Sequence, residues 1–227
     1  MTTKPRRLVR GSFQNIIDCF NRADGESVLD GGVWYLMANS WAEVVGRRLN
    51  HYGHSILSTK QEWILLGAGI IAAFSPQTNW DNNKTMAWRF AETLDKPDWC
   101  TDVNYRKAMA IVESGIISEH RILPIFGDDL EEYIDGCLGK EAFKTRAFFH
   151  NIVNPDGDYG PTIDRHAISV YLGKRCNYNE LRRGLEGRAN RTIRGAYMKA
   201  SKILQVHHNQ VQAITWVQWR KELKENK

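Results

Sequence analysis

The sequence predicts an all-α fold. Apolar residues recur at three- and four-residue spacing along most of the chain, and glycine or proline punctuates these stretches at short intervals. No segment alternates apolar and polar residues as a half-buried strand would. The 227 residues suffice for one sizeable domain, and 42% hydrophobic with 11% aromatic content suits a chain that buries a core.

Taken in order, "SFQNIIDCFNRA" carries apolar residues at 13, 16, 17 and 20, with Ser12 as a cap. "ADGESVLDGG" reads as a break. The next helix runs over 33–53, with Trp34, Met37, Trp41, Val44, Val45 and Leu49 on one face and Gly53 ending it. Thr59 with Glu62 forms a capping box before "WILLGAGIIAAF", which is apolar almost all round and therefore central to the core. Pro76 stops that helix by Ser75, and Asn79 caps the one after it. Helices follow over 104–115, 128–137 and 140–155, then a turn-rich "DGDYGPT" loop. Asp164 caps "IDRHAISVYLGKR", and three further helices, the second of them long, close the chain. The expectation is one all-helical domain over 1–227, with a central lobe over about 60–155 and a terminal lobe from 1–59 plus 156–227.

Several classes are excluded. The apolar run at 63–74 is too short to cross a bilayer, and no apolar signal core follows the basic N-terminus. No membrane partner and a cytoplasmic location, the host cytoplasm if the chain is phage-encoded, are expected. Cysteines at 19, 100, 137 and 176 have wide, irregular spacing without a CxxC, which argues against a zinc site or an iron–sulfur cluster. His207 and His208 lack a matching ligand in the sequence around them, so neither a metal nor another cofactor is expected.

The net charge of +5 is unevenly spread. From Glu180 to Lys227 eleven Lys and Arg face four acids, a balance that suits a polyanion or, equally, a solvated helical tail. Eight Trp supply core area and also surface on which bases can stack.

Three stretches could carry chemistry. They are "FSPQTNWDNN" at 74–83, "GCLGKEAFKTRAFFHNI" at 136–152 and "IDRH" at 163–166. In this order they resemble the helix-hairpin-helix DNA glycosylases, the endonuclease III group. That family has an apolar helix ending in a Ser-x-Gln-x-Thr segment, a glycine hairpin leading to Lys-Thr, and an Asp-x-His segment opening a helix. Here the matching residues are Ser75-Pro76-Gln77-Thr78, Gly139 to Lys144-Thr145, and Ile163-Asp164-Arg165-His166. The likeness covers roughly 60–175. The ends, "WYLMANSWAEVV" and "QAITWVQWR", are similar to phage-encoded proteins of this size.

The resemblance implies a fold and a site. The fold would be a compact domain of the helix-hairpin-helix glycosylase type without an iron–sulfur cluster. Asp164 would stabilise positive charge on the sugar, and Lys144 would be an amine nucleophile able to form a Schiff base. Gln77, Asn79, Trp80, Gly139, Lys140, Arg165 and His166 would contact nucleic acid. Gln77 would fill the space of a flipped base, and Gly136, Gly139 and Lys140 would present amides to phosphate.

The hairpin departs from the family pattern, reading Leu-Gly-Lys-Glu-Ala-Phe. Taken alone, Asp164 reads as a helix cap and Lys144 as a solvated lysine in a first turn. The implied function is a DNA base N-glycosylase, with abasic-site lyase activity as an open addition, acting as a monomer on double-stranded DNA. Two alternatives share the fold. One is a phage-type base hypermodification enzyme that transfers an amine to an activated thymine, and the other a catalytically silent DNA-binding or decoy protein.

Overall fold

Side-chain caps set most of the helix boundaries. Ser12 accepts from the amides of Gln14 and Asn15 and opens α1 (Phe13–Asn21). Asp24 accepts from Ser27 N at 2.8 Å at the start of α2 (Gly25–His51). Thr59 and Glu62 form a reciprocal capping box on α3 (Lys60–Phe74), and Asn79 caps α4 (Trp80–Thr93). Thr101 caps α5 (Asp102–Glu113), followed by α6 (Glu119–Ile125) and α7 (Cys137–Val153). Asp164 caps α8 (Arg165–Leu172), and a second capping box, Asn177 with Glu180, opens α9 (Tyr178–Gly184). The chain continues through α10 (Gly187–Leu204) and α11 (His208–Glu225). This computed structural model describes residues 11–76, 78–115, 118–126, 137–185 and 187–225, and the side chains of all of these except 137–143 and 225. The protein is all-α, with eleven helices and no strand among the described residues.

The chain divides into two units, Met1–Gly32 with Ile163–Lys227, and Val33–Thr162. In the second unit α3 is the hub: every residue from Ile64 to Phe74 is buried. It packs against α4, α5 and α7. It also meets α2 backbone to backbone. A Cβ on Gly67 would overlap the carbonyl of Ala42, and one on Gly46 the carbonyl of Trp63. Asn83 of α4 donates to the Ile71 carbonyl at 3.1 Å and fixes α4 on α3. Asn151, fully buried on α7, donates to Gly160 O and Thr162 Oγ1, and Tyr35 Oη donates to the same Thr162 hydroxyl at 2.9 Å. These bonds pin the end of the loop over 154–162.

The first unit builds its core from α1, α8, α10 and α11 around Ile16, Ile168, Ile193, Tyr197 and Val211. Tyr197 is fully buried, and its hydroxyl reaches the Ala167 carbonyl at 3.4 Å and Thr215 Oγ1 at 3.5 Å. The α1–α2 turn is tied to α11 by Lys221, which pairs with both Asp24 and Glu26.

Two expectations need correction, and one helix forms where none was expected. The stretch over 24–32 is no break: residues from Gly25 onward are helical, and Gly31 is there because its Cα side lies against the backbone of Ile214. The core face of α2 is Tyr35, Ala38, Ala42, Val45 and Leu49, all buried, whereas Met37 is 65% exposed and Val44 is also exposed. The close α2–α3 crossing selects small residues for the contact and leaves the bulky ones at its flank. Finally, α6 forms across Pro124, held by the fully buried Ile122. The helix expected over 128–137 lies almost wholly outside the described residues.

Two outcomes follow. Gly67→Ala should lower stability by about 3 kcal/mol or more, because backbone rather than a movable side chain blocks the new methyl; urea unfolding midpoints measure it. The Asp24 carboxyl is lowered to about 2, first by its hydrogen bond with Lys221 and then by Ser27. A depressed carboxyl stabilises the fold above its unfolded value, and that contribution is lost as pH falls through the folded one. Stability should therefore drop between about pH 4 and about pH 2, and Lys221→Met should flatten that acid limb in urea titrations.

Candidate functional site

Asp164 is placed by the chain on both sides of it. Thr162 and Ile163 are buried, so the strand-like approach is anchored, and α8 begins directly afterwards. Its backbone is extended (φ −116°, ψ −172°) and Oδ1 accepts the Ala167 amide at 2.8 Å. That is the only hydrogen bond of this carboxylate among the described residues, and it leaves Oδ2 uncommitted. Negative charge is favoured at a helix N-terminus. Below it, burial holds the Tyr197 phenol well above the ordinary tyrosine value, and the Asp164 charge adds to that. Arg165 is exposed. His166 is half-buried with its ring edge-on to Trp216 at 6.1 Å, and Arg220 lies 4.5 Å over the same indole.

The same unit carries a basic helix. α10 holds Arg188, Arg191, Arg194, Lys199 and Lys202 and no acid. Arg188, Arg191, Lys199 and Lys202 are exposed at spacings of three, eight and three, along one side of the helix. Lys199 lies 3.7 Å over the Phe13 ring. Among the described residues no ion pair engages Arg188, Arg191 or Lys202. The stripe is about 21 Å long at 1.5 Å per residue.

The second unit holds the remaining predicted residues. Lys144 is half-buried on α7, beside Thr145, which is buried. The expected glycine turn is not seen at Gly139 and Lys140: α7 begins at Cys137, so both lie in its first turn. The Lys140 side chain, like all of Gln77 and Gly136, lies outside the described residues. Lys144 and Asp164 belong to different units.

Asn79 and Trp80 come together at the start of α4, but Asn79 is occupied as the cap, accepting the Asn82 amide at 2.9 Å. Trp80 opens a groove between α2 and α4 of about 630 Å³, lined by Met37, Trp41, Trp80, Lys84, Trp88 and Arg89, with Asp81 and Thr85. Trp41 and Trp88 are stacked at 5.8 Å and 24°. Arg48 lies 3.8 Å from the Trp88 ring centre and is fixed by Glu92 at 2.7 Å. Trp80 is braced by Trp34 at 5.0 Å and Phe148 at 6.5 Å. Sequence reasoning assigned Trp41 and Met37 to the core. The signal that could have separated them was the parallel stripe of Tyr35, Ala38, Ala42, Val45 and Leu49, which is smaller-sided and suits a close crossing.

No helix among the described residues is long and apolar enough to cross a membrane. Cys19, Cys100 and Cys176 are buried free thiols, and burial pushes Cys19 up to about 12.

An all-α protein in two helical units, one with a capped carboxylate and an acid-free basic helix and one with a tryptophan-lined groove, is what these residues build. The chain belongs to DUF7178, a family of unknown function whose profile matches residues 2–223. No curated protein and no solved structure matches it.

Cap and charge can be separated at Asp164. Asn caps as well as Asp, so Asp164→Asn should change stability by less than about 0.5 kcal/mol, whereas Asp164→Ala should cost about 1 kcal/mol. Thermal or urea unfolding of the two variants measures the difference.

Proposed function

We propose that the chain is a DNA base N-glycosylase of the helix-hairpin-helix type, acting on a flipped damaged or modified base in double-stranded DNA. The observation that carries this reading is a capped carboxylate with one uncommitted oxygen in the same unit as the acid-free, basic α10. The exposed cations over about 21 Å match the span of about six phosphates along one strand. These cations would attract and hold a duplex backbone through salt-sensitive contacts.

In the reaction the electron pair of the C1′–N bond leaves with the base, and positive charge grows on the sugar. The uncommitted Oδ2 of Asp164 supplies negative charge there, in a position that needs no reorganisation because Oδ1 is already fixed. Water then adds to C1′, and its proton passes to the departing base.

The test is release of free base from duplexes carrying single damaged or modified bases. The wild-type chain should leave abasic sites, and Asp164→Asn should lose about a hundredfold or more in rate with its duplex affinity kept. Arg188→Glu with Arg191→Glu should weaken duplex binding and reduce the salt slope by about two. No base release by any form, with unaltered duplex binding by Asp164→Asn, would leave a binding protein. An amine-transfer product on activated thymine would favour base modification.

A further inference from the structure

We propose that the groove between α2 and α4 is a separate nucleic-acid site that takes an unpaired base of a single strand by stacking it on indole. It lies wholly within the second unit. The excision reading places its chemistry on Asp164 and α10 of the first unit, so this site goes beyond that reading and can fail or stand independently of it.

The ring geometry is set before any ligand arrives. Trp80, Lys84 and Trp88 stand at four-residue intervals on α4, and Met37 and Trp41 face them at the same interval on α2. Trp88 is held against Trp41 and under Arg48, and Trp80 against Trp34 and Phe148. Rings braced in this way lose little freedom on binding, which removes a main cost of association. Three indoles line the groove, and base–aromatic stacking is tolerant of base identity.

The charges choose among ligands with flat or cationic faces. A quaternary ammonium would be the usual guest of an aromatic cage. Here Lys84 Nζ already lies 5.8 Å from the Trp80 ring centre, and Arg89 adds a second positive charge at the rim. The acid in the lining, Asp81, is engaged by Lys84 at 3.0 Å. Arg89 pairs with Asp98 at a long 3.5 Å, both side chains more than half exposed, so a phosphate can exchange for that carboxylate at little cost. A base on the indoles with its phosphate near Lys84 and Arg89 satisfies both features. The volume of about 630 Å³ lies within the range of small-molecule sites.

The test is titration of the full chain with an oligothymidylate of about ten nucleotides, read by tryptophan emission and by anisotropy of a labelled strand. Emission should be quenched. Trp80→Leu and Trp88→Leu should each weaken binding about 5- to 100-fold. Met37 is mostly solvent-exposed, so Met37→Glu tests the groove without disturbing the core, and it should weaken binding about threefold or more. Arg188→Glu with Arg191→Glu should leave the quenching intact while reducing duplex affinity.

The proposal is overturned by absence of quenching, by unchanged affinity in Met37→Glu and both Trp variants, or by loss of quenching in the α10 variant. Displacement of the oligonucleotide by millimolar tetramethylammonium at constant ionic strength would also overturn it, in favour of a cation cage. Loss of base release in Asp164→Asn with groove binding retained would support both readings; absence of base release by the wild type with groove binding retained would sink the excision reading alone.

Discussion

The second unit depends on one contact: α2 and α3 meet with backbone against backbone, Gly67 on Ala42 and Gly46 on Trp63. Nothing larger than hydrogen fits at those two points. The crossing brings α3 close enough to be buried along eleven consecutive residues, Ile64 to Phe74. It also fixes which side of α2 is inside. The small residues Ala38 and Ala42 go to the contact, and Trp34, Met37 and Trp41 are left at its edge. Because Asn83 ties α4 to the Ile71 carbonyl, the indoles of α4 come to face those of α2. The groove is thus a by-product of a glycine contact on the other side of the helix.

The first unit is organised around a buried polar thread instead. Cys19 Sγ lies 3.6 Å from the Thr215 carbonyl, Thr215 Oγ1 is back-bonded to Val211 O, and Tyr197 joins Thr215 to Ala167. Ala167 is also the residue whose amide Asp164 accepts. The carboxylate therefore sits on a helix whose first turn is held from below, which is the rigidity a preorganised charge needs. Cations pair with acids in both units, Arg22, Lys174 and Lys221 among them in the first, and α10 is the exception. In the second, Arg47, Arg48, Lys60, Lys84, Arg89 and Lys96 each pair with a carboxylate. In the first, α10 contains no acid, and its exposed cations face solvent, with Lys199 resting on Phe13. Unscreened cations of this kind raise the local concentration of a polyanion.

Much of this was legible locally. Ser12, Thr59 with Glu62, Asn79 and Asp164 cap where their sequence positions indicate, since a cap needs only a short polar side chain and an amide two or three residues on. The basic character of α10 is likewise a property of composition. Less legible were the continuation of α2 through Gly25 and Gly31 and the formation of α6 across Pro124, where burial outweighs poor intrinsic propensity. Trp80 was singled out as a candidate contact, but its companions Met37, Trp41, Lys84 and Trp88 were not. Two apolar stripes run side by side on α2, and hydrophobicity alone favours the one with the tryptophans.

By itself the sequence determined the helical class, the capped position of Asp164 and the acid-free stretch that became α10, because each follows from neighbours within a few residues. Only the tertiary structure decided which stripe of α2 is core and that the indoles of α2 and α4 line a common groove. The reason is steric: the choice depends on how closely two backbones can approach, and that distance is fixed by glycines on one helix meeting carbonyls on another.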